Sequence, residues 1–379
     1  MKLGLLIYGS LDALSGGYLY DRMLVDYLRA QGDTVEIISL PWRNYAAHLT
    51  DIFWFRLPKN LDILIQDELN HPSLIRANRG KHRYPIISLV HHLRCSERRP
   101  KWQNDFYRVI EKKYLRSVDG FIFNSRTTQR TVRRVLENRG VESSKPEVVA
   151  FPPTDRFGEA IPEDEIIERA KQQEFRILFL GNVIERKGLH TLLEALGQIG
   201  NLPCRLDVIG SLTADPAYAK AIQDQISTNH LSSFIFLHNS LNNESLQQLL
   251  RQAHILCVPS SYEGFGIVYL EGMGFGLPAI GTTAGAAGEI ITNGETGFLI
   301  EPNDSAALAS CISQLASNRD LLTRLSLAAR TRALRQPKWT ETAGKIREFL
   351  LSVIASRAMT KQLPHSNEIA SSGRGPSSQ

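Results

Sequence analysis

Two carboxylates eight residues apart, Glu263 and Glu271, lie in the segment Pro259-Ser260-Ser261-Tyr262-Glu263-Gly264-Phe265-Gly266-Ile267-Val268-Tyr269-Leu270-Glu271-Gly272. An apolar run ends at Val258, glycines follow, and a helical pattern begins near Gly266, so free backbone N–H groups at the helix start favour an anion there. Carboxylates also accept paired hydrogen bonds from sugar hydroxyls. A second constellation, Leu180-Gly181-Asn182-Val183-Ile184-Glu185-Arg186-Lys187-Gly188, runs a strand into a glycine-bounded loop and sets two cations side by side, the charge that a phosphate attracts. Gly16-Gly17, after the first apolar run, lets backbone approach a phosphate or a sugar closely. Ser88-Leu89-Val90-His91-His92-Leu93-Arg94 places two imidazoles just past another strand, where they can bond a hydroxyl or carry charge near neutrality. The histidine pair has no third ligand at a usable spacing and no D-x-D motif occurs, so no metal is expected.

The elements that must hold these residues alternate. Residues 3–8 form an apolar run, a helical pattern passes through Met23, Leu24, Tyr27 and Leu28, and residues 35–40 read as the next strand. Further strands are expected at 63–65, 86–90, 120–123 and 148–151, with helices at 103–118 and 127–138. Unbroken apolar strands rather than alternating ones imply a parallel sheet covered on both faces. Pro152-Pro153 and the polar stretch 158–173 interrupt the pattern, and a second series starts at 175 with strands near 206–209, 235–237, 255–258, 278–281 and 298–300. The reading is α/β: two Rossmann-like, doubly wound domains, 1–157 and 174–336, facing a central cleft at the carboxyl ends of their strands. Residues 337–357 are expected to be a helix crossing back to the first domain, and the Ser/Gly/Pro-rich 363–379 a disordered tail.

The E-x7-E arrangement of Glu263 and Glu271, inside Ser261-Tyr262-Glu263-Gly264-Phe265-Gly266, resembles the donor-site signature of the family 4 retaining glycosyltransferases, which have the GT-B fold. Residues 278–290 and 293–300 resemble the segments that follow it, and the resemblance spans about residues 1–350. It implies transfer of a sugar from a UDP- or GDP-sugar to a hydroxyl of a glycan, glycolipid or small molecule, with retention of configuration and without metal or other cofactor. It gives Glu263 the donor-sugar hydroxyls, Glu271 the ribose hydroxyls, Lys187 the leaving diphosphate, and His91 a place near the transferred sugar. Gly16 and Gly17 would close over the diphosphate, with Gly264, Phe265 and Gly266 lining the donor site. Asn182 stands where the family usually has an arginine, and His92 where an aspartate is common. Arg186 is expected to supply the charge missing at Asn182.

Charge is divided along the chain. Residues 1–160 hold 25 Lys and Arg against 18 Asp and Glu, a net of +7, while the remainder holds 19 against 21, a net of −2. The expected helix 103–118 puts Phe106, Ile110 and Leu115 on an inward side and Arg108, Lys112 and Arg116 on another, from which peripheral contact with an anionic membrane is expected. Nucleic acid is not, because aromatics do not interleave with the basic residues. No apolar run reaches the roughly 18 residues of a membrane span, and the opening apolar stretch is too short for a signal peptide, so a cytoplasmic location is expected. Cys95, Cys204, Cys257 and Cys311 lack disulfide or zinc spacing and read as buried thiols. Two alternatives stay open: a sugar-nucleotide epimerase of the same architecture and a non-catalytic nucleotide-sugar-binding protein. A Rossmann oxidoreductase is disfavoured, since Gly9–Gly17 does not spell G-x-G-x-x-G.

Overall fold

A computed structural model describes residues 1–362 apart from 14, 81, 138–143, 159, 200–202 and 230, and only the backbone of 360–362. The expected tail 363–379 lies outside the described residues. Two parallel sheets of six strands organise the chain. The first contains β1 (Lys2–Tyr8), β2 (Thr34–Leu40), β3 (Ile63–Asp67), β4 (Ile86–Val90), β5 (Gly120–Phe123) and β6 (Glu147–Val149), in the order β2-β1-β3-β4-β5-β6. The second contains β7 (Phe175–Leu180), β8 (Cys204–Ile209), β9 (Ile235–His238), β10 (Ile255–Cys257), β11 (Ala279–Thr282) and β12 (Gly297–Ile300), in the order β12-β11-β10-β7-β8-β9. Strand order reverses at β1/β3 in one sheet and at β7/β10 in the other, and ligand crevices open at the carboxyl ends of strands flanking such a reversal. The loops after β1, β7 and β10 are the three glycine-containing loops singled out from the sequence.

The central strands are buried on both faces. In β3 and β4 every residue is buried, which requires helices on either side. The first of those, Gly16–Ala30, starts where the Ser15 hydroxyl accepts the Tyr18 N–H, so Gly16 and Gly17 occupy its opening turn. Two segments differ from expectation. The stretch 158–173 contains the helix Glu163–Ala170, whose Ile166 is fully buried with Ile161 and Ala170 in the second domain's core; that core therefore begins about a dozen residues before β7. Phe106 does not face inward: the helix Lys101–Ser117 buries Glu111, Tyr114 and Leu115 and leaves Phe106 46% exposed. Glu111 governs that rotation, because its carboxylate accepts the backbone N–H groups of Arg94 and Cys95. Lys112 is not a free surface charge either, since its Nζ donates to the Glu137 carbonyl.

The last helix, Trp339–Gln362, lies on the first domain. Trp339, Ala343, Ile346, Leu350 and Val353 join the cluster of Leu3, Leu5, Tyr20 and Leu24, each large side chain contributing about 1.5–3 kcal/mol by burial. Arg347 and the chain's N-terminal amine share Asp33, at 2.7 and 2.8 Å. All four cysteines are free. Among the described residues no helix is long and apolar enough to cross a membrane.

Candidate active site

The loops after β7 and β10 are joined before either meets the first domain. Gly188 adopts φ +72°, and a Cβ there would stand 2.2 Å from the Pro259 carbonyl oxygen, so only glycine permits the approach. The Ser261 N–H donates to the Arg186 carbonyl at 2.8 Å. This junction delivers Lys187 to Glu263: Nζ lies 2.8 and 3.1 Å from the two carboxylate oxygens, and Ser260 Oγ donates to one of them at 2.9 Å. Arg186 donates to the Tyr262 carbonyl and stands 3.9 Å from the Glu263 carboxylate. Burial alone would raise Glu263, but the charges of Lys187 and then Arg186 outweigh it and hold the carboxyl at about 2. Lys187 is pushed below its ordinary value by burial. The result is a largely buried ion pair beside a second cation, with polarity ready to accept an anion that competes with Glu263 for Lys187.

Across the cleft, Gly264 presses against the first domain. A Cβ on Gly264 would sit 2.6 Å from the His91 carbonyl oxygen. The Gly264 carbonyl accepts the Ser125 hydroxyl at 3.1 Å, and the His91 carbonyl accepts Asn124 Nδ2 at 2.9 Å. The opening turn Gly16-Gly17 lies over the same place, Gly16 against Ile267 and Gly17 against the His91 ring. The structure thus brings Gly16, Gly17, His91, Arg186, Lys187, Glu263, Gly264 and Gly266 together.

Three other residues singled out from the sequence have different surroundings. The Glu271 carboxylate is taken by Arg156 Nη1 at 2.7 Å, from the segment linking the domains. Phe265 is 5% exposed, its ring 6.2 Å from that of Phe151. Asn182 ties its loop to the next through the Ser211 N–H, at 3.2 Å.

His91 has a partner that sequence reading missed. Its Nε2 lies 3.1 Å from Asp21 Oδ1, inside the Gly16–Ala30 helix, and the other oxygen of Asp21 is buried without a hydrogen bond. Burial opposes the imidazolium, but the charge and hydrogen bond of Asp21, followed by Asp67 and Glu68, raise His91 to about 9. Asp67 is itself pushed up to about 7 by burial and by Asp21. The expectation that His91 lacks further ligand-type neighbours is corrected: Asp21, Asp67 and His91 lie close enough to share a cation, as do Glu68, His71 and Glu111. They come from different strand tips and a helix, so sequence spacing could not reveal them. In the second group both ring nitrogens of His71 are engaged, Nδ1 by the Glu68 carbonyl and Nε2 by Tyr45. Arg156 and Glu289 were also missed. Glu289 reaches across from the second domain to accept the Arg126 and Thr127 N–H groups at 3.0 and 2.6 Å, which places a carboxylate at a helix N-terminus. An acidic residue just before a helix is the usual signal for such a cap, and here it comes from the other domain.

Residues 161–332, which carry β7 to β12 and both glycine-rich loops of the second domain, match the family model for glycosyl transferases group 1. Those residues, the second domain, belong to that family. Among relatives of the group, phosphatidyl-myo-inositol mannosyltransferase of Mycobacterium leprae is 24% identical over 94% of this chain and 98% of its own. An uncharacterized glycosyltransferase of Methanocaldococcus jannaschii is 33% identical, but the match spans only 38% of this chain and 39% of that relative. The two-domain GT-B fold is shared with sucrose-phosphate synthase of Thermosynechococcus elongatus, at TM-score 0.78, 20% identity, and 94% and 99% of the two chains. It is also shared with Anabaena HepE, solved in complex with UDP-glucose, at TM-score 0.72, 17% identity, and 93% and 100%.

Proposed function

We propose that this group 1 glycosyltransferase moves a sugar from a UDP- or GDP-sugar to a hydroxyl acceptor, with retention of configuration and without a metal. The observation that carries the reading is the buried Lys187–Glu263 pair at the reversal point of the second sheet, faced by Gly16-Gly17 and His91 of the first. A diphosphate entering at Arg186 and Lys187 takes those cations from Glu263, freeing its carboxylate to accept hydrogen bonds from donor-sugar hydroxyls. In this reading Glu271, whose carboxylate Arg156 holds at 2.7 Å, takes the ribose hydroxyls. The bond between the anomeric carbon and the diphosphate oxygen breaks while the acceptor oxygen bonds the same face of that carbon. The acceptor proton passes to the departing phosphate. Negative charge grows on the diphosphate as the bond breaks, and fixed cations there lower the barrier because they are stronger partners of the transition state than of the ground state. The nucleotide complex of Anabaena HepE supports a nucleotide-sugar donor.

The exposed Trp102, Phe106 and Val109, at i, i+4 and i+7 of one helix beside Lys101, Arg108 and Lys113, support peripheral contact with an anionic membrane from the cytoplasmic side. The test of the transfer reading is mass-spectrometric detection of nucleoside diphosphate release from UDP- and GDP-sugars, with a cell extract as acceptor source, EDTA present, and Lys187→Ala as control. Release that yields a new α-glycoside from an α-donor supports it. A new nucleotide sugar without acceptor would point to an epimerase, and tight binding without consumption to a non-catalytic protein.

A further inference from the structure

Beside the donor loops lies a small cavity of about 70 Å³ that opens to solvent. It sits at the carboxyl ends of the first sheet: Tyr8 ends β1, Trp42 and Tyr45 follow β2, Glu68 follows β3, and Arg94 and Glu97 follow β4. It adjoins the donor side, because His92 on its wall is 6.1 Å, ring to ring, from Tyr262.

The charges lining it nearly all cancel. Arg43 is ion-paired with Asp51, and Glu97 with His92 at 3.0 Å and Arg99 at 2.7 Å. Burial pushes Glu68 well above the carboxylate range and lowers His48 and His71, and the ring nitrogens of both histidines are already engaged, by the Arg43 N–H and Asp51 for His48 and by the Glu68 carbonyl and Tyr45 for His71. Arg94 is the exception. Its guanidinium lies 5.1 and 4.9 Å from the ring centroids of Tyr45 and Tyr107, and among the described residues it has no carboxylate partner. Its Nε is buried without a hydrogen bond. A buried donor left unpaired costs stability unless a ligand meets it, and a guanidinium without a carboxylate partner keeps N–H donors available to an oxyanion. The aromatic walls, Tyr8 with Trp42 edge-on at 5.8 Å, suit the C–H face of a saturated ring.

We propose that this cavity is the acceptor subsite and that Arg94 anchors an anionic substituent, so the acceptor is a hydroxylated ring, a sugar or cyclitol, carrying a phosphate or carboxylate. The assignment of the cavity to the acceptor rests on the transferase reading; its preference for an anion rests on Arg94 alone.

The test is calorimetric titration of the full chain with glucose 6-phosphate, mannose 6-phosphate, myo-inositol 1-phosphate and glucuronate, each against its uncharged counterpart, with inorganic phosphate as control. Saturating UDP or GDP keeps the anions off Lys187. At least one charged ring is expected to bind about tenfold or more tightly than its neutral partner and than inorganic phosphate. Arg94→Gln should abolish that preference and Arg94→Lys should retain part of it. The proposal is overturned if no charged ring is preferred or if the preference survives in Arg94→Gln. Sedimentation with phosphatidylinositol in phosphatidylcholine vesicles, compared with free myo-inositol 1-phosphate, separates a lipid headgroup from a free acceptor; Arg94-dependent binding of either supports the anchor. Titration with the nucleoside diphosphates alone reports on the donor site. Failure there would strike the transferase reading while leaving the Arg94 comparison legible without saturation.

Discussion

Asp21→Asn is expected to lower the proton affinity of His91 and flatten part of the protein's stability profile above neutrality. In the native fold His91 is held at about 9 against an ordinary 6.5, burial opposing its charge and Asp21, Asp67 and Glu68 overcoming that opposition. The gap is worth about 3 kcal/mol at 1.36 kcal/mol per pH unit. Its sign follows from linkage: the folded pKa is the higher one, so the stabilisation is complete below pH 6.5 and is lost as pH rises through 9. Asparagine removes the charge of the leading partner. A hydrogen bond to a charged group contributes about 1.5–3 kcal/mol, so His91 should fall by about one to two units. Asp67, raised to about 7 by burial and by Asp21, ionises more readily in the variant and returns part of the loss, which favours the lower figure. NMR of the imidazole Cε1–H groups from about pH 5 to 10 reads the titration directly. Urea unfolding at the two ends of the 6.5–9 window reads the energy. A native His91 that titrates near 6.5, or an Asp21→Asn variant in which it still titrates near 9, would refute the reasoning.

Lys187→Ala should reduce turnover about 10²–10³-fold, read as nucleoside diphosphate release. It should also raise Glu263 from about 2. That depressed carboxyl stabilises the fold above its ordinary 4.5 and ceases to do so as pH falls through about 2, so the variant should unfold at higher pH in an acid titration followed by circular dichroism. Gly188→Ala should cost at least about 1–2 kcal/mol from its left-handed backbone, plus the clash with Pro259; an unchanged urea midpoint would count against the loop junction described above. Glu289→Ala should loosen the cleft without touching either loop, and small-angle scattering should record a larger radius of gyration than for the native chain. Trp102→Ser with Phe106→Ser should weaken co-sedimentation with anionic vesicles several-fold; equal binding of the native chain to neutral and anionic vesicles would end the membrane reading.

Much of the architecture was legible because it is local. The apolar runs of β1, β4 and β7 and the glycines at their carboxyl ends are short-range patterns, and parallel strands buried on both faces need little else to be recognised. The same locality explains the errors. The polar stretch around Glu163–Ala170 has few apolar residues, and what makes it part of a core is Ile166 meeting the second domain. Phe106 fits an inward stripe by spacing alone, and the demand that overrides it is the pairing of Glu111 with the N–H groups of Arg94 and Cys95.

The sequence by itself determined the βα alternation, the positions of the glycine loops and the residue types that they carry, because backbone propensity and side-chain period act over a few residues. Its resemblance to a known family attached roles to Glu263, Lys187 and His91. Only the tertiary structure decided that Lys187 Nζ meets Glu263 across 76 positions, that Asp21 charges His91 across 70, that Glu271 is held by Arg156, and that Arg94 lines a cavity beside Tyr45. Electrostatic energy depends on distance through space and on burial, and neither is a property of a residue's neighbours along the chain.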